Sequence, residues 1–141
     1  MSFIRLENIV KSYNGKYIFN NFNLEINKGD FIGIKGESGT GKSTLLNIIG
    51  LLEKCDGKIF IENEEIKYND RKKIRNLLKN KIGYLFQNYA LIDDLTVYDN
   101  LKIVLNNVSK KMGEKIILEE LNKLGLENIL NKKIFQLSGG E

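Results

Sequence analysis

The sequence contains no histidine, no proline and a single cysteine, Cys55. Without histidine, no reaction step can use an imidazole group from this chain. Without proline, the turns must be made by glycine, asparagine and aspartate. A lone cysteine cannot form an internal disulfide, which fits a reducing cytoplasm, and we interpret Cys55 as a passive loop residue.

Long apolar runs are also missing. The most apolar stretch, Leu45–Leu52, is interrupted by Asn47 and Gly50 and is far shorter than the ~20 residues of a membrane span. The first ten residues lack the basic segment followed by an apolar segment that marks a secretory signal. We therefore expect a cytoplasmic chain that does not itself cross a bilayer.

The charge is only mildly basic, with 22 Lys and Arg against 18 Asp and Glu. This excess is spread along the chain, whereas a nucleic-acid-binding protein usually concentrates it on one face. The densest basic run, between Arg71 and Lys81, is interpreted as the solvated face of a helix, with an RNA or lipid patch as the alternative. We expect no nucleic-acid partner.

The 141 residues suit a single domain that begins with strands. Asn14-Gly15 predicts a tight hairpin, and Asp56-Gly57 predicts a further turn. Five short apolar or alternating segments predict strands. These are Phe3–Val10, Phe22–Ile26, Phe31–Lys35, Lys58–Ile61 and Ile82–Phe86.

Helical patterns dominate the second half. A helix is predicted over Lys42–Leu52, and another from the N-cap Asp70 to about Asn80. Thr96 is a predicted N-cap, with Asp99 three residues later. Apolar residues at helical spacing follow in two groups, which are Val97, Leu101, Val104 and Leu105, and then Ile117, Leu121 and Leu124, with Gly125 as the C′ residue.

Residues Gly36–Ser43, GESGTGKS, match the pattern G-x-x-x-x-G-K-[ST] at every fixed position. Glycines let the backbone curl and direct its N–H groups at phosphate oxygens, and the following helix adds its positive dipole end. Lys42 would contact the β- and γ-phosphates, and the Ser43 hydroxyl would bind Mg²⁺. The predicted nucleotide site comprises Gly36, Glu37, Ser38, Gly39, Thr40, Gly41, Lys42, Ser43 and Thr44.

Two further segments indicate which family of phosphate-loop proteins the sequence resembles. Gln87 follows a predicted strand in GYLFQN, and the sequence finishes with LSGGE at Leu137–Glu141. In order with Gly36–Ser43, these segments resemble the ATP-binding subunits of ABC transporters over the whole chain. The stretches GESGTGKSTLLNIIGLL and FQNYALIDDLTVYDNL are similar to the export branch, which includes bacteriocin, macrolide and lipoprotein-release systems.

The resemblance implies roles for residues outside the phosphate loop. Tyr13 would stack on adenine, and Gln87 would contact Mg²⁺ and position the attacking water. Ser138, Gly139, Gly140 and Glu141 would form the start of a signature motif that contacts ATP on a second subunit. Each has a simpler alternative. Tyr13 would be an ordinary strand aromatic, Gln87 a polar residue that ends a strand, and the signature segment a turn into a helix capped by Ser138.

The resemblance also implies an α/β fold of the ABC type of P-loop NTPase. It would have an N-terminal antiparallel β-layer, a partial parallel core sheet and a helical subdomain. Residues 1–141 would form a single partial ATP-binding domain, with the β-layer and core in 1–90, the helical subdomain in 91–137 and the signature start in 137–141. The implied cofactors are ATP and Mg²⁺. The implied partners are a membrane permease, holding the chain at the inner face of the membrane, and a second ATP-binding subunit in a head-to-tail dimer.

Some family features fall outside this sequence. The family's Walker B aspartate, catalytic glutamate and switch histidine follow the signature, and Glu141 is the last residue. Tyr89–Asp94 resembles the Walker B strand, but it begins two residues after Gln87 with no crossover, so we interpret it as a solvated turn. We expect a truncated or split ATP-binding subunit that binds ATP without efficient hydrolysis. The alternative is a non-hydrolysing decoy module that pairs with an intact subunit.

Overall fold

The computed structural model describes residues 2–105 and 108–141. The chain divides into two compact units, one running up to Tyr84 and the other covering Leu85–Glu141. Each unit has its own cluster of buried apolar side chains. In the described parts of the chain, no helix has both the length and the apolar character of a membrane span.

The first unit contains an antiparallel sheet with the strand order β2-β1-β3-β4. Its strands are β1 (Ser2–Tyr13), β2 (Lys16–Asn27), β3 (Asp56–Ile61) and β4 (Glu64–Glu65). Asn14 and Gly15 join β1 to β2 with φ angles of 49° and 78°, as a two-residue type I′ turn requires. The predicted hairpin and antiparallel layer are therefore confirmed.

Two helices complete this unit, α1 (Lys42–Ile49) and α2 (Arg71–Asn80). Asp70 caps α2 as predicted, since its Oδ1 accepts a hydrogen bond from the Lys73 amide at 2.9 Å. Both helices contribute side chains to the core beneath the sheet. That core comprises Leu6, Ile9, Leu45, Ile48, Leu51, Ile59, Ile61, Ile66 and Leu77.

Two predicted strands are wrong. The structure assigns no strand to Phe31–Lys35 or Ile82–Phe86, and Phe31 is fully exposed. A strand forms only where a neighbouring strand supplies hydrogen bonds along its length, so an apolar pattern alone does not produce one. Every strand pair in the described residues is antiparallel, and the expected partial parallel sheet is not seen there.

The predicted turn at Asp56-Gly57 is also wrong, because these residues begin β3. Gly57 has φ 101°, and a Cβ atom there would lie 2.6 Å from the carbonyl oxygens of Glu7 and Asn8. The glycine is required by the close approach of β1 and not by a chain reversal.

The second unit contains α3 (Val97–Lys102), α4 (Lys110–Lys123) and two short 3-10 helices. The Thr96 cap of α3 is confirmed, because its Oγ1 accepts from the Asp99 amide at 3.1 Å. α3 ends at Lys102, so the helix does not reach Val104, whose side chain is 79% exposed. The core of this unit comprises Val97, Ile117, Leu121 and Ile129.

The end of α4 also follows the prediction. Gly125 has φ 69°, and its amide donates to the Asn122 carbonyl at 3.1 Å. The Leu126 amide donates to the Leu121 carbonyl at 2.9 Å, which completes a Schellman motif. Leu124 is 72% exposed, so it does not belong to the apolar face predicted for this helix.

Candidate functional site

The segment Gly36–Ser43 forms a curled loop that leads directly into α1. Gly39 and Gly41 have φ angles of 80° and 94°, a region that side-chain-bearing residues rarely adopt. The Thr40 hydroxyl donates to the Glu37 carbonyl at 2.8 Å and so closes the curl. Gly39 and Gly41 therefore allow the tight curl of the backbone that the sequence predicted for this motif.

The half-buried Lys42 side chain folds back into this loop. Its ammonium donates to the carbonyl oxygens of Gly36 at 2.8 Å and Glu37 at 2.6 Å. The loop therefore surrounds a positive charge with oxygen acceptors. Phosphate oxygens could replace these neutral acceptors with stronger, charge-assisted ones.

The first turn of α1 supplies further donors. Gly41 is its N-cap, and among the described residues no side chain caps this end and none in its first turn is acidic. The first amides of a helix lack intrahelical acceptors, and its dipole favours an anion at this end. Ser43 is an exposed residue of this turn, and its hydroxyl is an oxygen ligand of the kind that Mg²⁺ takes together with phosphates and water. These residues fit a magnesium-bound triphosphate.

The hairpin packs closely against the loop. A Cβ atom on Gly41 would lie 2.3 Å from Ile18 Cγ2 and 3.3 Å from Phe19 Cζ. Both contacts come from β2. The strand that follows the hairpin turn is therefore in van der Waals contact with the last glycine of the loop.

Tyr13 lies at the hairpin end of β1, where it pairs with Lys16. The residue is 43% exposed, and its hydroxyl donates to the Glu53 carboxylate. The Lys11 ammonium lies 5.0 Å from the centroid of the same ring. The structure thus places Tyr13 as an exposed aromatic held at its hydroxyl, and its role in stacking stays a prediction.

Sequence reasoning missed the two residues that organise this region, Glu53 and Asn47. The Lys11 ammonium lies 2.8 Å from Glu53 Oε1, and Asn47 Nδ2 donates to Glu53 Oε2 at 3.3 Å. Burial acts to raise the pKa of Glu53, but hydrogen bonds from Lys11, Tyr13 and Asn47 outweigh it and lower that pKa. The one available signal was Asn47 itself, a polar residue inside the apolar run of α1.

In the second unit, Gln87 lies in an exposed turn. The signature segment also forms a turn, closed by a hydrogen bond of 3.1 Å from the Glu141 amide to the Ser138 carbonyl. Ser138 donates to Glu141 Oε2 from its amide at 3.0 Å and from its hydroxyl at 2.8 Å. These bonds, with Lys132 nearby, lower the pKa of Glu141. Gly139 and Gly140 are exposed.

The interpretation of Tyr89–Asp94 as a solvated turn is confirmed. Its residues are exposed and form no strand. The described residues contain no group of three or more His, Cys, Asp or Glu that could hold a metal ion. Sequence reasoning missed Asn100, which is 8% exposed and exchanges hydrogen bonds with the Ile92 amide and carbonyl at 2.8 and 3.1 Å.

Comparison with known proteins finds similar sequences along most of the chain. A family model described as ABC transporter matches residues 19–141. The lipoprotein-releasing system ATP-binding protein LolD of Aquifex aeolicus is 40% identical over 98% of this chain and 63% of its own length. The uncharacterized ABC transporter ATP-binding protein MJ0796 of Methanocaldococcus jannaschii is 38% identical, with the same coverage. The spermidine/putrescine import protein PotA of Fusobacterium nucleatum is 40% identical over 98% of this chain and 36% of its own length.

Solved structures agree. The dimeric post-hydrolysis structure of the ATP-binding cassette MJ0796, bound to ADP and Pi, has a TM-score of 0.81 and 37% identity, covering 97% of this chain and 64% of that chain. The cbiO1 structure from Clostridium perfringens has a TM-score of 0.77 and 28% identity, covering 99% and 57%. These matches confirm the α/β fold of an ABC ATP-binding cassette, and the chain spans about 63% of the length of LolD and MJ0796. The chain belongs to the ABC transporter family, among its ATP-binding proteins.

Proposed function

We propose that this chain binds Mg²⁺–ATP at Gly36–Ser43 as the ATP-binding part of an ABC transporter. The observation that carries this proposal is the position of the Lys42 ammonium, which lies within the loop and donates hydrogen bonds to two backbone carbonyls. The uncapped first turn of α1 adds amide donors beside it. A cation and a helix N-terminus at one loop favour a ligand with several negative charges.

We extend the proposal to the other residues of the site. Tyr13 stacks on the base, Gln87 reaches Mg²⁺ and the attacking water, and Ser138–Glu141 contact ATP on a second subunit. The similar MJ0796 structures support a two-subunit arrangement, because both are described as dimeric and one holds ADP and Pi. Residues 1–90 are proposed as the nucleotide-binding core and 91–137 as the helical subdomain.

A membrane permease is the second proposed partner, so the chain would work at the inner face of the cell membrane. We propose that an ATP-binding subunit containing these residues couples ATP binding and hydrolysis to export. Support comes from LolD, named for lipoprotein release, and from the macrolide export protein MacB of Vibrio parahaemolyticus, 36% identical over 88% of this chain. The equally similar PotA is an import protein, so overall identity does not decide the direction of transport.

Calorimetric titration of the purified 141-residue chain with ATP and Mg²⁺ tests the nucleotide assignment. Lys42→Ala should weaken ATP binding by at least about tenfold, because it removes the charge that meets the phosphates. Lys58→Ala is the matched control, since Lys58 is an exposed lysine of the same unit, on β3. The proposal fails if the wild-type chain takes up no ATP, or if the two lysine variants bind equally well.

A further inference from the structure

We propose that Glu53 is a positioning residue of the nucleotide site. Lys11 and Asn47 hold its carboxylate in place, and the carboxylate holds the Tyr13 ring in the orientation that stacks on the base. This inference rests on the proposed function, because it assumes a nucleotide at Gly36–Ser43. It adds a residue that does not touch the phosphates and that acts only through Tyr13.

The first support is the convergence of donors on one carboxylate. Glu53 accepts from the Tyr13 hydroxyl, lies 2.8 Å from the Lys11 ammonium and accepts from Asn47 Nδ2 at 3.3 Å. A tyrosine side chain has only two rotatable bonds to its ring, so fixing the hydroxyl fixes the ring. Holding an aromatic in its binding orientation lowers the entropy lost when a ligand stacks on it.

The second support is the placement of Lys11. Its ammonium lies 5.0 Å from the centroid of the Tyr13 ring and also donates to the Lys54 carbonyl at 2.8 Å. A cation over the face of a ring is attracted by the π-electrons. The ring is thus held at its hydroxyl and on its face, yet Tyr13 as a residue remains 43% exposed, which leaves surface for a base to contact.

The third support is a connection to the phosphate loop within the same unit. Asn47 lies on α1, five residues after Lys42, which is about 7.5 Å along the helix axis. Its Nδ2 donates to Glu53, while its Oδ1 accepts from the Tyr84 hydroxyl at 2.5 Å. Both ends of the amide are engaged, so the helix that carries the loop holds the carboxylate in a defined place.

The low exposure of the ion pair between Lys11 and Glu53 strengthens their interaction. The side chains of Lys11 and Glu53 are 17% and 22% exposed, unlike a typical surface ion pair, which is screened by water and contributes little. Hydrogen bonds that involve ionised groups are stronger than neutral ones. A loss of the Glu53 charge should therefore release Tyr13 and not merely remove one of several equivalent contacts.

The decisive test separates base binding from phosphate binding. Wild type, Tyr13→Phe, Glu53→Gln and the double variant are titrated with two ligands, ATP and inorganic tripolyphosphate, each with Mg²⁺. Tyr13→Phe keeps the ring and loses only the hydroxyl that meets Glu53. Glu53→Gln keeps the shape of the side chain but removes its charge. Hydrogen-bond donors approach both carboxylate oxygens, so the NH₂ group of glutamine must face one of these donors.

We expect each single variant to bind ATP roughly fivefold more weakly, a part of what one base–aromatic stack contributes. Tripolyphosphate binding should be unchanged in both. The double variant should be no weaker than the weaker of the two single ones, because Tyr13→Phe removes the contact that Glu53→Gln weakens by removing the charge. Glu64→Gln is the control, because Glu64 forms an ion pair with Lys73 at 2.9 Å and has no contact with Tyr13 among the described interactions.

Three outcomes would overturn the inference. They are unchanged ATP binding in Glu53→Gln, equal weakening for ATP and tripolyphosphate, and additive losses in the double variant. Thermal unfolding of the same samples identifies a loss that comes from stability, which would affect both ligands alike. If the wild-type chain binds neither ligand, the proposed function fails and this inference fails with it.

Discussion

A Cβ atom added to Gly41 would lie 2.3 Å from Cγ2 of Ile18. Side-chain atoms do not approach this closely, so either β2 or the loop would have to move. Gly41 also has φ 94°, which disfavours any residue with a side chain. The motif glycine before Lys42 is therefore required by backbone conformation and by the packing of the hairpin, in addition to any contact with phosphate.

The first prediction compares two glycines of this loop. Gly41→Ala should lower the free energy of unfolding by about 2–4 kcal/mol, because backbone strain and overpacking add. Gly39→Ala should cost only about 1 kcal/mol, since Gly39 has φ 80° but open space around its Cβ position. Urea denaturation of both variants measures the difference. An equal loss of unfolding free energy in the two variants would show that the Ile18 side chain can move away at no energetic cost.

The second prediction concerns acid stability. The pKa of Glu53 is lowered from its ordinary value of 4.5 in the folded chain, so the unfolded chain binds more protons near that pH. Stability from Glu53 is therefore present above about pH 4.5 and is lost as the pH falls through its lowered pKa. Glu53→Gln should make the unfolding free energy less dependent on pH below about pH 5.

Salt provides the control for this pH experiment. The pKa of Glu64 is also lowered, by its hydrogen bond and attraction to Lys73, but its side chain is 71% exposed. Screening should remove the Glu64 contribution at high ionic strength, whereas that of the less exposed Glu53 should persist. If wild type and Glu53→Gln lose stability in parallel on acidification, the carboxylate is not stabilised by its partners.

The success of the sequence predictions followed the range of the interactions involved. The Asn14-Gly15 turn, the Asp70 and Thr96 caps and the Gly125 ending depend on contacts within a few residues, and all four are confirmed. The strands predicted at Phe31–Lys35 and Ile82–Phe86 depended on distant pairing, which a local apolar pattern cannot supply.

The candidate site shows the same division. The phosphate loop could be predicted because its chemistry lies in eight consecutive residues. The contact of Glu53 with Tyr13 joins positions 40 residues apart, and no spacing rule links a residue after α1 with one at the end of β1. Asn100 was missed for a different reason, because its partners are nearby backbone groups that any sequence provides.

The third prediction concerns Asn100 in the second unit. Its side chain exchanges two hydrogen bonds with Ile92 and donates to the Thr96 carbonyl at 3.0 Å. Asn100→Ala should destabilise this unit by about 1–3 kcal/mol, because backbone groups lose their partners. Amide exchange should accelerate at Ile92, with smaller changes at α4. The exposed Asn122→Ala on α4 is the matched control and should change little.

The fourth prediction sets two glycines of one helix against each other. Gly113 lies inside α4 with an ordinary helical backbone, and a Cβ atom there would lie 3.5 Å from Leu105 Cδ1, a normal contact. Gly113→Ala should therefore stabilise the unit by about 0.5–1 kcal/mol, because alanine loses less backbone entropy in a helix than glycine does.

Gly125 shows the opposite case at the C-terminal end of the same helix. Among the described residues, no atom outside its chain neighbours lies within 4 Å of its Cβ position, but its φ is 69°, so alanine should cost about 1 kcal/mol through backbone strain alone. Thermal unfolding should place Gly113→Ala above wild type and Gly125→Ala below it. Destabilisation by both variants would mean that the contact with Leu105 is tighter than 3.5 Å suggests, whereas stabilisation by both would contradict the Schellman ending of α4.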